Sequence, residues 1–170
     1  MGTRTPNSYG ENPYELIGRA LVTWNRIEAL WELIVVVMLD CPRNQADAIF
    51  LSLRNFGPQR SMGRELAKLQ LASSPDTLDR VLKLENRLRE EMTSGRRNAI
   101  VHSRYLGSNR SPNLYVDKDR NHKKTVSQRD LIEKDVVEEL TTSIGLWEIL
   151  ERDTWTTLAS VCHCLRKEMP

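Results

Sequence analysis

The chain has no Gly-rich loop that would cradle a phosphate, no cysteine framework and little net charge. Its longest apolar run, Leu33 to Leu39, is far short of the roughly 20 residues of a membrane span, so no membrane partner is expected. Three cysteines, Cys41, Cys162 and Cys164, make an odd count without disulfide spacing, which points to a reducing cytoplasm. Cys162–His163–Cys164 lacks the paired spacing of zinc ligands, and neither a metal nor a cofactor is expected. The opening "MGTRTPNSYGENP" has no apolar stretch of the kind a signal peptide needs. Pro6 stands where the myristoylation pattern requires Ser or Thr. Ser94, Ser103 and Ser143 have no triad partners in view, which excludes a serine hydrolase. A formal net charge of +2 exerts no global pull toward nucleic acid.

What is present fits a single globular domain over residues 1–170, with 39% hydrophobic and 28% charged residues. Positive charge is carried mainly by arginine, 18 Arg against 7 Lys. That bias suits phosphate recognition, and base composition accounts for it more simply.

The pattern along the chain is helical. Residues 1–11 read as a loose N-terminal arm. Asn12, Pro13 and Glu15 form a helix start, and Leu16, Ala20, Trp24, Ile27, Trp31, Ile34 and Met38 continue it at helical spacing to Asp40. The stretch around Val35–Val37 is apolar all round and is expected to be wholly buried. Further helices are predicted from Gln45 to Arg54, from Ser61 to Ala72 with Gly57–Pro58 as the break before it, and from Ser74–Pro75 to about Gly95. Helix is expected again from Arg97 through Leu106. Residues 107–127 are read as loop and hairpin, with two short strands in "NLYVDKDRNHKKTV" about an Asp119–His122 turn. Ser127 caps the last helix, Gln128 to Leu165. The fold class is therefore all-α, an up-and-down bundle of four to five helices with a small β-hairpin insertion before the last helix.

Chemistry concentrates in "GRRNAIVHSRY", residues 95–105. An arginine followed four to six residues later by histidine occurs about once by chance in a chain with this many arginines. The context carries more weight. Asn98 directly follows Arg97, and the first helix holds a polar group, "WNRIE", inside its apolar stretch. "RRNAIVH" late in an all-α bundle, behind a long first helix with "WNRIEALWELI", resembles the HEPN superfamily (higher eukaryotes and prokaryotes nucleotide-binding). In architecture the resemblance spans about residues 13–165, and Arg97, Asn98 and His102 carry the motif. It implies a metal-independent endoribonuclease, acting as a toxin or in phage defence, with RNA as substrate and an antitoxin or regulatory protein as partner. It also implies a homodimer with both copies of the motif in one cleft.

Helical arithmetic makes that implication sensible. At about 100° per residue Asn98 and His102 share a face, whereas Arg97 lies about 140° around from His102. A second copy across a two-fold axis completes such a site. Arg104, seven residues after Arg97, would extend the cationic face, with Arg96 beside it. In HEPN toxins paired with nucleotidyltransferase antitoxins a tyrosine stands two residues after the histidine. Here Arg104 occupies that place and Tyr105 comes next, so adenylylation does not carry over, and Tyr105 packs or stacks on a base.

Alternatives accompany each candidate. Arg97 can pair with Glu90 or Glu91, and His102 can be a hydrogen-bonded residue at a bundle edge. Glu28 and Asn25 either point at the motif and hold Arg97 or Asn98, or sit on the solvated face, Glu28 with Glu32 and Arg26. Lys118, Arg120, Lys123 and Lys124 either touch an RNA backbone or blunt an exposed strand edge. The competing function is a non-catalytic helical module that binds a nucleotide or a partner protein. The ribonuclease requires Arg97 and His102 exposed together in a positive cleft; the module requires one of them buried or ion-paired.

Overall fold

The computed structural model describes residues 13–93, 97, 100, 104–108, 111–117 and 136–166. Its body is all-helical, and among the described residues five helices can be bounded: α1 (Pro13–Leu39), α2 (Arg43–Ser52), α3 (Phe56–Gln70), α4 (Pro75–Thr93) and α5 (Val136–Cys164). The N-terminal arm, Asn12 and Ser127 lie outside the described residues.

Side-chain pairings give the helix directions. Trp24 meets Phe56 edge-on at 6.3 Å, and Trp31 lies against Gly63, so α1 and α3 run parallel. The short α2 turns back between them. Its start pairs Arg43 with Glu32 at 3.7 Å, and near its end the carbonyls of Phe50 and Leu53 accept from Gln59 Nε2. Arg60 and Arg64 of α3 both reach Glu85 of α4, an antiparallel arrangement. Cys164–Ser74, Arg87–Asp153 and Trp147–Glu91 then fix α5 antiparallel to α4.

The core is the α1 stripe of Leu16, Ala20, Trp24, Ile27, Trp31, Ile34 and Met38, closed by Leu140, Ile144, Trp147, Leu150 and Leu158 of α5. Burying these apolar faces is the main favourable term, at about 25 cal/mol per Å². Buried hydroxyls of Ser143, Thr154 and Thr157 donate to the carbonyls four residues earlier, each at 2.7 Å, so these three hydroxyls are paired inside the core. Val35 is fully buried as expected, while Val36 is only half-buried. Asp40, at φ 51°, ends α1 in the left-handed region that Asp tolerates, and Pro42 starts α2.

Three expectations are corrected. Helix α3 starts at Phe56, so Gly57 and Pro58 lie in its first turn; the first amides of a helix have no intrahelical acceptor, and Pro is accommodated there. Helix does not persist to Leu106. Residues Arg104–Ser108 (β1) and Ser111–Asp117 (β2) form an antiparallel pair with Tyr105 opposite Val116 and Leu106 opposite Tyr115. The backbone ladder is made with a second segment of chain, which periodicity within one segment does not register. Thirdly, the hairpin predicted over 113–126 is not seen among the described residues: Leu114, Tyr115 and Val116 pair backward in the chain with Gly107, Leu106 and Tyr105 respectively, and 118–135 lie outside them.

Gly63 sets the α1–α3 approach. A Cβ there would lie 2.5 Å from Trp31 Cζ2 and 2.8 Å from Val35 Cγ2. Gly63→Ala is expected to lower stability by about 1–3 kcal/mol through overpacking. Urea denaturation checks this, and an unchanged midpoint would contradict the close approach.

Candidate functional site

Arg97 lies where the motif segment meets α1. Its backbone is helical and its side chain is 18% exposed. Nη2 reaches Glu28 Oε1 at 3.3 Å, and the guanidinium sits 5.9 Å from the centre of the Trp24 ring. Glu28 also accepts from Trp24 Nε1, at 2.5 Å, one helical turn away. The Trp24 ring is tilted against Trp147 at 5.1 Å, and Trp147 Nε1 donates to Glu91 at 3.0 Å. Ile100, one turn after Arg97, is buried.

The local sequence explains this arrangement. Trp24, Ile27 and Trp31 belong to the buried stripe, and Glu28 flanks it at the helix edge. Its carboxylate therefore stays 28% exposed while its oxygen reaches the indole N–H. A guanidinium over an indole face, ion-paired at its edge, combines cation–π attraction with a charge-assisted hydrogen bond. Together they fix the plane of Arg97.

Of the two places open to Glu28, the structure shows the inward one, holding Arg97; Glu32 pairs instead with Arg43, and Arg26 with Glu151 at 4.0 Å. Asn25 is exposed on α1. Arg104 and Tyr105 are strand residues, so the helical seven-residue relation between Arg97 and Arg104 does not exist: an extended backbone rises 3.2–3.4 Å per residue and alternates its faces. Arg96, Asn98, His102, Lys118, Arg120, Lys123 and Lys124 lie outside the described residues. Among the described residues no group of His, Cys, Asp and Glu is placed to hold a metal ion, and no helix is long and apolar enough to cross a membrane.

A second polar cluster has no counterpart in the motif reading. Glu85 on α4 is 3% exposed, ion-paired with Arg60 and, at 2.7 Å, with Arg64. Asn86 Oδ1 accepts from Arg64 at 3.3 Å and from Arg89 at 3.2 Å. Burial, then Arg89, then Arg64 hold the Arg60 guanidinium below its usual pKa. The signal was in the sequence: Glu85 stands inside the apolar stripe Val81, Leu84, Leu88, where a charge needs a partner.

An open groove of about 420 Å³ between α4 and α5 is lined by Asp76, Asp79, Arg80, Lys83, Arg87 and Asp153. Lys83 pairs with Asp79 and Arg87 with Asp153, and three acids balance three bases, so it offers no net field for a charged ligand. No protein-family model, curated protein or solved structure matches this chain.

Proposed function

We propose that this chain is a metal-independent endoribonuclease of HEPN type, a toxin or defence effector whose active site is assembled from two copies of Arg97, Asn98 and His102. The observation that supports this reading is the meeting of the two segments that carry the resemblance. The "WNRIE" segment and the motif arginine, which together carry the resemblance, are in direct contact through Trp24 and Glu28. An arginine held in one plane is preorganised for a phosphorane, where charge develops on the non-bridging oxygens.

In the proposed reaction the RNA 2′-oxygen forms a bond to the adjacent phosphorus, and the bond from phosphorus to the 5′-oxygen breaks. His102 takes the 2′-OH proton or supplies one to the leaving 5′-oxygen, and water carries the other of these two protons. The products are a 2′,3′-cyclic phosphate and a free 5′-OH. Arg97 binds and neutralises the phosphoryl oxygens, and Asn98 orients His102 or hydrogen-bonds the phosphate. The protein acts in the cytoplasm as a homodimer under an antitoxin or regulator.

The same ion pair favours a second reading. Arg97 is mostly buried and already faces a carboxylate, as a non-catalytic module binding a nucleotide or partner protein requires. Incubating purified protein with total RNA in EDTA, beside Arg97→Ala and His102→Ala, separates the two. Cleavage lost in both variants supports the ribonuclease; no cleavage by the wild type supports the module. Glu28→Gln keeps an acceptor for Trp24 and removes the negative charge that faces Arg97. It is expected to slow cleavage about tenfold, the worth of one charge-assisted hydrogen bond, with the circular dichroism spectrum unchanged.

A further inference from the structure

We propose that Arg60, Arg64 and Arg89 form a phosphate-binding site on the α3–α4 face, with Arg60 as its floor and Arg64 and Arg89 at its mouth. The inference is independent of the chemistry at Arg97. It rests first on charge. Among the described residues, Glu85 is the one carboxylate within ion-pair distance of any of these three guanidinium groups. The cluster therefore carries an excess of two positive charges around one buried acid.

The second ground is how the arginines are held. Arg64 and Arg89 share the neutral Asn86 Oδ1, which tethers two like charges side by side without compensating either. Arg60 is 12% exposed, and its Nε–H is buried with no hydrogen-bond partner. A buried donor left unpaired costs about 1–3 kcal/mol, so an acceptor there is favoured. The exposure gradient, from Arg60 through Arg64 at 33% to the exposed Arg89, opens the cluster to solvent.

Chemistry then selects the ligand. Guanidinium forks donate in fixed planes that match the oxygens of a tetrahedral phosphate, and several forks around one anion suit two or more formal charges better than a single carboxylate does. A free phosphate supplies that charge in one group, and a nucleic-acid strand supplies it as successive singly charged phosphodiesters, each with the oxygen geometry that a guanidinium fork matches. The balanced α4–α5 groove has as many basic residues and lacks the excess charge.

The test is fluorescence anisotropy with a labelled, fully 2′-O-methylated RNA oligonucleotide, which binds without being cleaved, alongside melting in inorganic phosphate against chloride at matched ionic strength. Arg89 is exposed, and among the described residues its side chain bonds to Asn86 alone, so Arg89→Ala is expected to fold. It is expected to weaken RNA binding about tenfold and to reduce the salt slope by about 0.7, one phosphate contact on a single strand. Phosphate is expected to raise the wild-type Tm more than that of Arg89→Ala. A phosphate effect lost in Arg89→Ala with unchanged RNA affinity leaves the site standing with a free phosphoryl group as its ligand. Indifference of both readouts to Arg89→Ala, or an equal loss of RNA binding in the control Arg80→Ala, overturns the site.

Discussion

Glu85→Ala is expected to destabilise the bundle by about 3–5 kcal/mol, the cost of leaving a buried charge without its partner. Arg60 stays on the α3–α4 interface, 12% exposed, and loses the carboxylate that offsets its desolvation. Arg64 is more exposed and can turn to water, so most of the penalty falls on Arg60. Domains of this size are stable by about 5–15 kcal/mol, so the variant is expected to lie near the edge of folding at 37 °C. The double change Arg60→Met with Glu85→Leu removes both charges and refills the volume. It is expected to recover most of the loss, because replacing a buried ion pair by apolar groups is often neutral. Thermal melts of the single and double variants decide this. A Glu85→Ala protein as stable as wild type would mean that the pair contributes nothing.

Arg97→Ala is expected to reduce RNA cleavage about 10²–10³-fold, the cost of removing one preorganised donor from developing negative charge. His102→Ala is expected to lose about 10²–10⁴-fold as the acid or base disappears. The two arise differently. Arg97→Ala also deletes the cover over Trp24 and leaves Glu28 with Trp24 alone, so a modest drop in Tm is expected with it. Activity per protomer is expected to fall on dilution, since the proposed cleft needs both copies of a dimer. Wild-type cleavage that is independent of concentration, or retained in His102→Ala, would contradict the composite site.

The helices were legible where local signals agreed with burial. The apolar spacing in α1 is the same row that the structure buries, and Pro75 opens α4 as its capping pattern predicts. Helix α3 was misplaced by five residues at its start, because Gly57–Pro58 reads as a break and only the packing of Phe56 on Trp24 draws those residues into the helix. Residues 104–106 were read as helix for a related reason. Helical spacing is a property of one segment, whereas strand pairing depends on a second segment with suitable residues at matching register.

The two charged sites divide in the same way. Arg97 was singled out by its place in a motif, and the sequence left Glu28 undecided between holding it and facing solvent. Glu85 sat in plain view inside an apolar stripe without its partners being identifiable, since Arg60 and Arg64 lie 25 and 21 residues upstream on another helix. By itself, then, the sequence determined the helical class and the buried face of α1, because periodicity and residue type are local. Only the tertiary structure decided that Arg97 rests on Trp24 against Glu28 and that three arginines gather around one acid. Such pairings depend on how helices turn toward one another, and that is set by the packing of Trp31 on Gly63 and of Trp24 on Trp147, contacts between residues far apart in the chain.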